Sequence, residues 1–188
     1  MNMEPVRFGV IGCGLMGREF ASVSMRWLHL ACELPRPVIV AACDLSPKNL
    51  DWFRQVPDTK YFYSDYHELL ANPEVEAVYC AVPHHLHAQV YGDVIRAGKH
   101  LIGEKPFGMD LAACEEVEAA MAGRPEVFVR CASEFPFYPA VQQMVKWYRE
   151  GAFGQIIEAR FAIKHSSDMD LAKPINWKRM RAANGEYG

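Results

Sequence analysis

The sequence has no long hydrophobic run. Its longest apolar runs, such as Val38–Cys43, contain six residues, whereas a helix that crosses a membrane needs roughly 20. The first residues lead directly into a strand-like segment, without the basic and apolar regions of a secretory signal peptide. We therefore expect a cytoplasmic protein without a membrane-spanning segment.

The sequence also lacks an excess of positive charge. It has 20 Lys and Arg residues against 23 Asp and Glu residues, which gives a formal net charge of −3. A domain that binds along a nucleic acid neutralises phosphates and is usually basic. We therefore do not expect nucleic acid to be a partner of this protein.

Paired cysteines are missing as well. The six cysteines lie at positions 13, 32, 43, 80, 114 and 131, without C-x-x-C spacing and mostly beside apolar residues. This pattern is typical of reduced thiols in the core of a cytosolic protein and not of a disulfide framework.

The sequence does contain a regular alternation of short apolar runs and longer amphipathic segments. Continuous apolar strands separated by helices of about ten residues predict parallel pairing with both sheet faces covered. The fold class is therefore predicted to be α/β, with a doubly wound parallel sheet. The predicted strands are Val6–Gly12, Val38–Cys43, Lys60–Tyr63, Ala77–Val82, His100–Gly103 and Val127–Ala132. The predicted helices are Leu15–Leu34, one that starts at Pro47, Asp65–Leu70, His87–Ala97 and Leu111–Met121.

The pattern changes after Ala132, which predicts a first domain over 1–132 and the beginning of a second, α+β domain over 133–188. Pro139–Glu150 is predicted to be a helix, and Gln155–Lys164 alternates polar and apolar residues as a half-exposed strand does. One strand cannot form a stable sheet on its own. We therefore expect a truncated chain, or one that another chain completes, and association through its open edge.

The first strand ends in a glycine loop, G-C-G-L-M-G at positions 12–17, which opens a helix. In such a loop the first glycine allows a tight turn, the second lets the backbone approach a pyrophosphate, and the third lets helix pack on strand. Amides at the start of the helix hold the negative charge. The predicted cofactor-binding residues of this loop are Gly12, Gly14, Leu15, Met16 and Gly17.

The second strand ends in an acidic residue, Asp44. A carboxylate there would accept hydrogen bonds from the ribose hydroxyls of an adenosine and would repel a 2′-phosphate, which favours NAD over NADP. Lys48 lies nearby and could bind a 2′-phosphate, so NADP is still possible as the less favoured cofactor. The alternative is that the glycines serve only a tight turn and that Asp44 only caps a helix.

Two further polar segments follow later strands, where an open α/β sheet binds its ligand. One is A-V-P-H-H-L-H-A at 81–88, and the other is G-E-K-P-F at 103–107. Lys105, beside Glu104, is a candidate acid or base, although such a pair is more commonly a solvated ion pair. His84, His85 and His87 lack a cysteine or carboxylate at zinc-ligand spacing, so no metal is expected.

Together these motifs resemble the Gfo/Idh/MocA family, named after glucose–fructose oxidoreductase, inositol dehydrogenase and rhizopine catabolism proteins. The set consists of the glycine loop, the acidic end of strand two, A-V-P-x-x-x-H and E-K-P. The resemblance covers nearly the whole chain, and E-K-P after the glycine loop is fairly specific.

The resemblance implies an NAD(P)-dependent oxidoreductase that transfers a hydride from a sugar, polyol or related substrate. It implies that residues 1–132 bind the dinucleotide and that residues 133–188 begin a domain for substrate binding and homo-oligomerisation. Lys105 matches the lysine of substrate contact and proton transfer, with Glu104 orienting it. His87 matches the histidine of P-x-x-x-H and is predicted to line the nicotinamide side as a catalytic residue. Pro83, Glu104 and Pro106 are also predicted to be cofactor-binding residues, and Pro106 to shape the nicotinamide pocket. I-N-W-K at 175–178 is similar to a tryptophan segment of the family.

The sequence departs from the family pattern at two places. Pro136 stands where the family often has an arginine, in N-x-R-F-x-P. The D-x-x-x-H segment of the family is expected just after Gly188, so we expect the chain to be the first half of a longer protein. A nucleotide-binding module without catalysis, a sensor or scaffold, is the alternative function. A methyltransferase-like Rossmann protein is a third, but it does not explain E-K-P.

Overall fold

The computed structural model describes residues 3–31, 33–164, 166, 169, 172, 174, 175, 177 and 180–184. The chain divides into two compact units, of which the first comprises Met1–Ala132 and Trp177–Gly188 and the second comprises Ser133–Asn176. The first unit holds the sheet and the candidate site.

Six parallel strands form the sheet, in the order β3-β2-β1-β4-β5-β6. They are β1 (Val6–Ile11), β2 (Pro37–Cys43), β3 (Tyr61–Tyr63), β4 (Ala77–Cys80), β5 (His100–Glu104) and β6 (Val129–Ala132). From β1 the chain adds β2 and then β3 on one side of the sheet. It then returns to the other side of β1 and adds β4, β5 and β6 in turn. The strand order therefore reverses between β1 and β4, where doubly wound sheets open a ligand crevice. The predicted α/β fold class with a doubly wound parallel sheet is confirmed.

The part of the chain that the structure describes contains seven α-helices. They are α1 (Leu15–Met25), α2 (Pro47–Phe53), α3 (Tyr66–Ala71), α4 (His87–Arg96), α5 (Leu111–Ala122), α6 (Pro139–Arg149) and α7 (Arg181–Asn184). The prediction of helix as far as Leu34 was wrong, because α1 ends at Met25 and only a short 3₁₀ turn, Trp27–His29, follows. Leu28 and Leu30 are exposed there, so no packing favours further helix. No helix in the described ranges is both long and apolar enough to cross a membrane.

Two apolar clusters cover the two faces of the sheet. Neighbouring residues of the central strands point into different clusters: Ile11 and Val40 into one, Val10 and Ile39 into the other. The first cluster includes side chains from α3, α4 and α5, and the second includes side chains from α1 and α2. Because both faces are covered, β2 and β4 consist of apolar residues from end to end, as in other parallel sheets.

The strand predicted over Gln155–Lys164 was wrong. Residues 155–164 form no strand and are exposed along their whole length. A strand needs a neighbour that pairs with its N–H and C=O groups, and the described residues supply none for this segment. Polar and apolar alternation alone therefore does not make a strand here. The assignment of residues 133–188 to a substrate and oligomerisation domain stays a prediction.

Candidate functional site

A cavity of about 830 Å³ lies at the carboxyl ends of the strands, where Ile11 ends β1 and where Ala81 and Val82 follow β4. The glycine loop, the end of β2, the connection from β4 to α4 and the end of β5 line it. Eight predicted site residues contribute to its wall: Gly12, Gly14, Leu15, Met16, Asp44, Pro83, Glu104 and Lys105. The fold thus brings into one cleft residues that are far apart in the sequence. Gly17, His87 and Pro106 lie outside the lining.

The glycine loop has the geometry that a bound pyrophosphate needs. Gly12 has φ of +91°, and a Cβ atom at this position would lie 2.5 Å from the carbonyl oxygen of Ala81. A Cβ at Gly14 would meet no protein atom within 4 Å, so the backbone there is open to a ligand. A Cβ at Gly17 would collide with the carbonyl oxygen of Gly12, which explains how α1 packs so closely on the loop. The loop therefore fits a dinucleotide phosphate at the start of α1.

Asp44 is oriented by three hydrogen bonds. Its Oδ2 accepts from the backbone N–H of Cys13 at 2.8 Å and from Nδ2 of Asn49 at 3.1 Å, and its Oδ1 accepts from the backbone N–H of Ser46 at 2.7 Å. A carboxylate offers about four acceptor positions, so Oδ1 keeps one for a ligand hydroxyl. Burial and the Asp44 charge raise the pKa of the Cys43 thiol to about 12, which keeps this neighbour neutral. The Asp44 carboxylate is therefore held in one orientation, with an acceptor position open towards the cleft.

Glu104 anchors the end of β5. Its buried carboxylate accepts from the hydroxyl of Tyr79 at 2.7 Å through Oε1 and from the backbone N–H of Lys105 at 3.3 Å through Oε2. Its carbonyl oxygen accepts from the hydroxyl of Tyr91 at 2.8 Å. Burial raises the pKa of both phenols, so they remain donors. Glu104 thus positions Lys105 through the backbone, and the two side chains do not form the solvated ion pair considered above.

Lys105 lies directly after β5 and extends into the cleft. The side chain is exposed and contributes to the cavity wall, and the peptide bond between Lys105 and Pro106 is cis. No carboxylate of the described residues forms an ion pair with its ammonium group. The group is therefore available to a ligand in the cleft.

His87 occupies a different place from the one predicted for it. The side chain is fully buried, with Nδ1 at 2.7 Å from the carbonyl oxygen of Pro106 and Nε2 at 3.0 Å from that of Val82. Its ring also stacks on Tyr91, with 4.7 Å between the centroids. Burial lowers the pKa of His87, although the two carbonyl groups act in the opposite direction. His87 begins α4 with its side chain facing inward, so it contacts the segment after β4 and the carbonyl oxygen of Pro106 and does not line the cleft. This placement favours a positioning role over a catalytic one.

The sequence reasoning missed several residues of the cleft. Ser64, Asp65 and Tyr66 line it directly after β3, and the rule that ligands bind beyond the strand ends could have indicated them. The hydroxyl of Tyr66 donates to Asp93 at 2.8 Å, and burial raises the pKa of Tyr66 to about 12. Asn49 lines the cleft from the first turn of α2, and no motif pointed to it.

His84, His85 and His87 do not form a metal-binding group with other described residues. The described residues contain no group of three or more His, Cys, Asp or Glu side chains that could hold a metal ion. His84 lines the cleft, with its ring edge-on to Trp177 at 5.0 Å. In the tryptophan segment predicted over 175–178, Asn176 and Lys178 lie outside the described residues.

The fold and the cleft define a dinucleotide-binding Rossmann domain. Residues 6–130 match the Gfo/Idh/MocA family model, described as an oxidoreductase family with an NAD-binding Rossmann fold. The match covers more than half of the chain, so this protein belongs to the Gfo/Idh/MocA family. The predicted family and the NAD-binding fold are thereby confirmed.

Individual relatives agree with the family match. Levoglucosan dehydrogenase of Pseudarthrobacter phenanthrenivorans is 27% identical over 188 residues, which cover 97% of this chain and 47% of that protein. Trans-1,2-dihydrobenzene-1,2-diol dehydrogenase of Homo sapiens is 31% identical over 159 residues, which cover 82% of this chain and 45% of that protein. The chain thus spans about half the length of these curated relatives.

Solved structures show the same fold. A levoglucosan dehydrogenase in complex with NADH superposes with a TM-score of 0.83 at 22% identity, over 97% of this chain and 49% of that one. The apo scyllo-inositol dehydrogenase of Lactobacillus casei superposes with a TM-score of 0.70 at 22% identity, over 82% of this chain and 44% of that one.

Proposed function

We propose that this chain is the cofactor-binding part of an NAD-dependent oxidoreductase that acts on a sugar, a polyol or a related alcohol. The observation that carries the proposal is the single cleft that contains the glycine loop, Asp44 and Lys105. Family membership supports the oxidoreductase class. Relatives named for levoglucosan and for inositols support the substrate class.

Different residues of the cleft would bind different parts of the dinucleotide. The open backbone at Gly14 and the amides of Leu15 and Met16 would hold the pyrophosphate. The remaining acceptor position on Asp44 would bind a ribose hydroxyl, and its charge would repel the 2′-phosphate of NADP. The other end of the cleft, at Glu104 and Lys105, would then hold the nicotinamide and the substrate.

In the reaction, residues of this chain would take part in the transfer of one proton, that of the substrate hydroxyl. NAD, when bound, accepts the hydride from the substrate carbon that is oxidised. Lys105 would contact the substrate hydroxyl and take part in the transfer of its proton. Glu104, fixed by Tyr79, and His87, joined to the carbonyl of Pro106, would hold the Lys105 turn in place.

Calorimetric titration with NADH and NADPH tests the cofactor assignment. We expect saturable binding of both, tighter for NADH. Asp44→Asn is expected to weaken NADH binding about tenfold, because a charge-assisted hydrogen bond is lost, and to remove the preference over NADPH. Asp51→Asn, the same change at an exposed residue of α2, is the control and should leave both affinities unchanged. Absence of binding by either nucleotide would overturn the proposal.

Lys105→Ala tests the assigned proton transfer. In the complete enzyme of which this chain is proposed to be the cofactor-binding part, we expect NAD-dependent oxidation of sugars and polyols to fall at least about a hundredfold, because general acid–base groups contribute that much, while NADH affinity stays unchanged. Lys60→Ala removes another exposed lysine, which pairs with Glu74 outside the cleft, and should keep full turnover. Full turnover by Lys105→Ala would contradict the assignment. Nucleotide binding without oxidation of any sugar or polyol by the complete protein would favour the non-catalytic module.

A further inference from the structure

We infer that Asn49 is a specificity-determining residue of the cofactor cleft, because it restrains Arg18 and so keeps the cleft selective for NAD against NADP. This inference rests on the proposed function, since it concerns the same cleft. It adds a second determinant to the charge of Asp44: the restraint of a nearby cation that would otherwise favour a phosphate.

The side-chain amide of Asn49 stands between two charged groups. Its Nδ2 donates to Oδ2 of Asp44 at 3.1 Å, and its Oδ1 accepts from a terminal guanidinium nitrogen of Arg18 at 3.0 Å. A single amide therefore separates a cation on α1 from the carboxylate at the end of β2. Asn49 lines the cleft, whereas Arg18 lies behind it, outside the lining.

The guanidinium group of Arg18 has a donor that makes no hydrogen bond. Its Nε is buried and has no hydrogen-bond partner, and its guanidinium lies 5.2 Å from the ring centroid of Trp52 in a cation–π contact. No carboxylate of the described chain forms an ion pair with this guanidinium. Arg18 is thus a cation held by a neutral amide and an aromatic ring, with a donor left unused.

NADP differs from NAD only by the phosphate on the ribose that Asp44 faces. Arginine is the side chain best suited to bind a phosphate, through parallel charge-assisted hydrogen bonds. Without the Asn49 amide, Arg18 would lose its acceptor and would be drawn towards Asp44. It would then neutralise the carboxylate that repels the phosphate and offer donors to the phosphate itself. Both effects favour NADPH.

Titration of Asn49→Ala with NADH and with NADPH tests this inference. The ratio of the NADPH dissociation constant to the NADH dissociation constant is expected to fall about tenfold or more, mainly through tighter NADPH binding. Asn49→Ser is too short to bridge both groups and should shift the ratio in the same direction, which keeps the test open if the alanine variant does not fold. If the role of Asn49 were purely structural, Asn49→Ala would weaken the binding of NADH and of NADPH by the same factor, because the two nucleotides differ only in the 2′-phosphate.

Arg18→Gln tests whether the guanidinium group of Arg18 causes the change in the ratio of the dissociation constants. Combined with Asn49→Ala, it is expected to return the ratio to the value of the unaltered protein. On its own it is expected to leave the ratio unchanged, because the restrained guanidinium does not contact the ribose. Arg54→Gln removes an exposed arginine at the end of α2 and is the matched control.

The outcomes separate this inference from the function on which it rests. If the unaltered protein binds neither nucleotide, the proposed function fails. If it prefers NADH, and both Asn49 variants leave the ratio unchanged, the proposed function stands and the role of Asn49 is overturned. If the ratio falls and Arg18→Gln does not restore it, the role of Arg18 is overturned.

Discussion

Gly12→Ala is expected to destabilise the protein by about 2–4 kcal/mol and to abolish NADH binding, since it adds backbone strain and a steric clash. The φ angle of +91° at Gly12 belongs to a region that residues with a Cβ atom rarely adopt. The new Cβ would also lie 2.5 Å and 2.7 Å from the carbonyl oxygen and carbon of Ala81. The turn and the segment after β4 would therefore move apart. Urea unfolding gives the loss of stability, and calorimetry gives the loss of binding.

Gly14→Ala is the matched control for this prediction. A Cβ at Gly14 meets no protein atom within 4 Å, so the free energy of unfolding should change by less than about 0.5 kcal/mol. NADH binding should nevertheless weaken, because the methyl group would fill the space that the pyrophosphate needs. A Gly12→Ala variant as stable as the unaltered protein would contradict the described turn. Unchanged NADH affinity in Gly14→Ala would contradict the pyrophosphate position.

Tyr91→Ala is expected to lower the free energy of unfolding by about 3–5 kcal/mol, as other large-to-small changes of buried aromatic residues do. Tyr91 is fully buried, stacks on His87 and donates to the carbonyl oxygen of Glu104. Its ring also fills the space beside Gly103, where a Cβ would lie 2.6 Å from the ring carbon Cζ. Its loss would therefore leave a cavity beneath the turn that carries Lys105. Urea unfolding measures the change.

Two further variants separate the ring of Tyr91 from its hydroxyl. Tyr91→Phe keeps the packing and removes one hydrogen bond, so a loss of about 1 kcal/mol is expected. Leu111→Ala, at a side chain that is 74% exposed on α5, should change stability by less than about 0.5 kcal/mol. If Tyr91→Ala cost no more than Leu111→Ala, the ring would not be the support described here.

The strands and the glycine loop were predictable because their signals are local. Val38–Cys43 is apolar throughout, which is typical of a strand covered on both faces, and β2 occupies Pro37–Cys43. The glycines at 12, 14 and 17 follow one strand and open one helix, so their pattern is complete within a few residues. The strand predicted over 155–164 failed for the opposite reason. Its pattern was local, but a strand depends on a partner elsewhere in the chain.

The side-chain partners in the site could not be predicted in this way. His87 was expected in the cleft from its place in a motif, but its ring lies between the carbonyl groups of Val82 and Pro106. Glu104 was expected to orient Lys105, but the motif did not show that its carboxylate would accept from the hydroxyl of Tyr79 and from the backbone N–H of Lys105. A motif indicates which residue types are near a ligand. It does not indicate which atoms of the protein they bind.

The fold class, the family and the strand ends at which the cleft forms could all be predicted from the amino-acid sequence. These follow from hydrophobic periodicity and from short motifs, in which neighbours along the chain carry the whole signal. The contact of His87 with the carbonyl oxygen of Pro106 and the position of Asn49 between Arg18 and Asp44 became visible only in the folded chain. The physical reason is that such contacts join different helices and strands, so their geometry exists only once these elements have packed together.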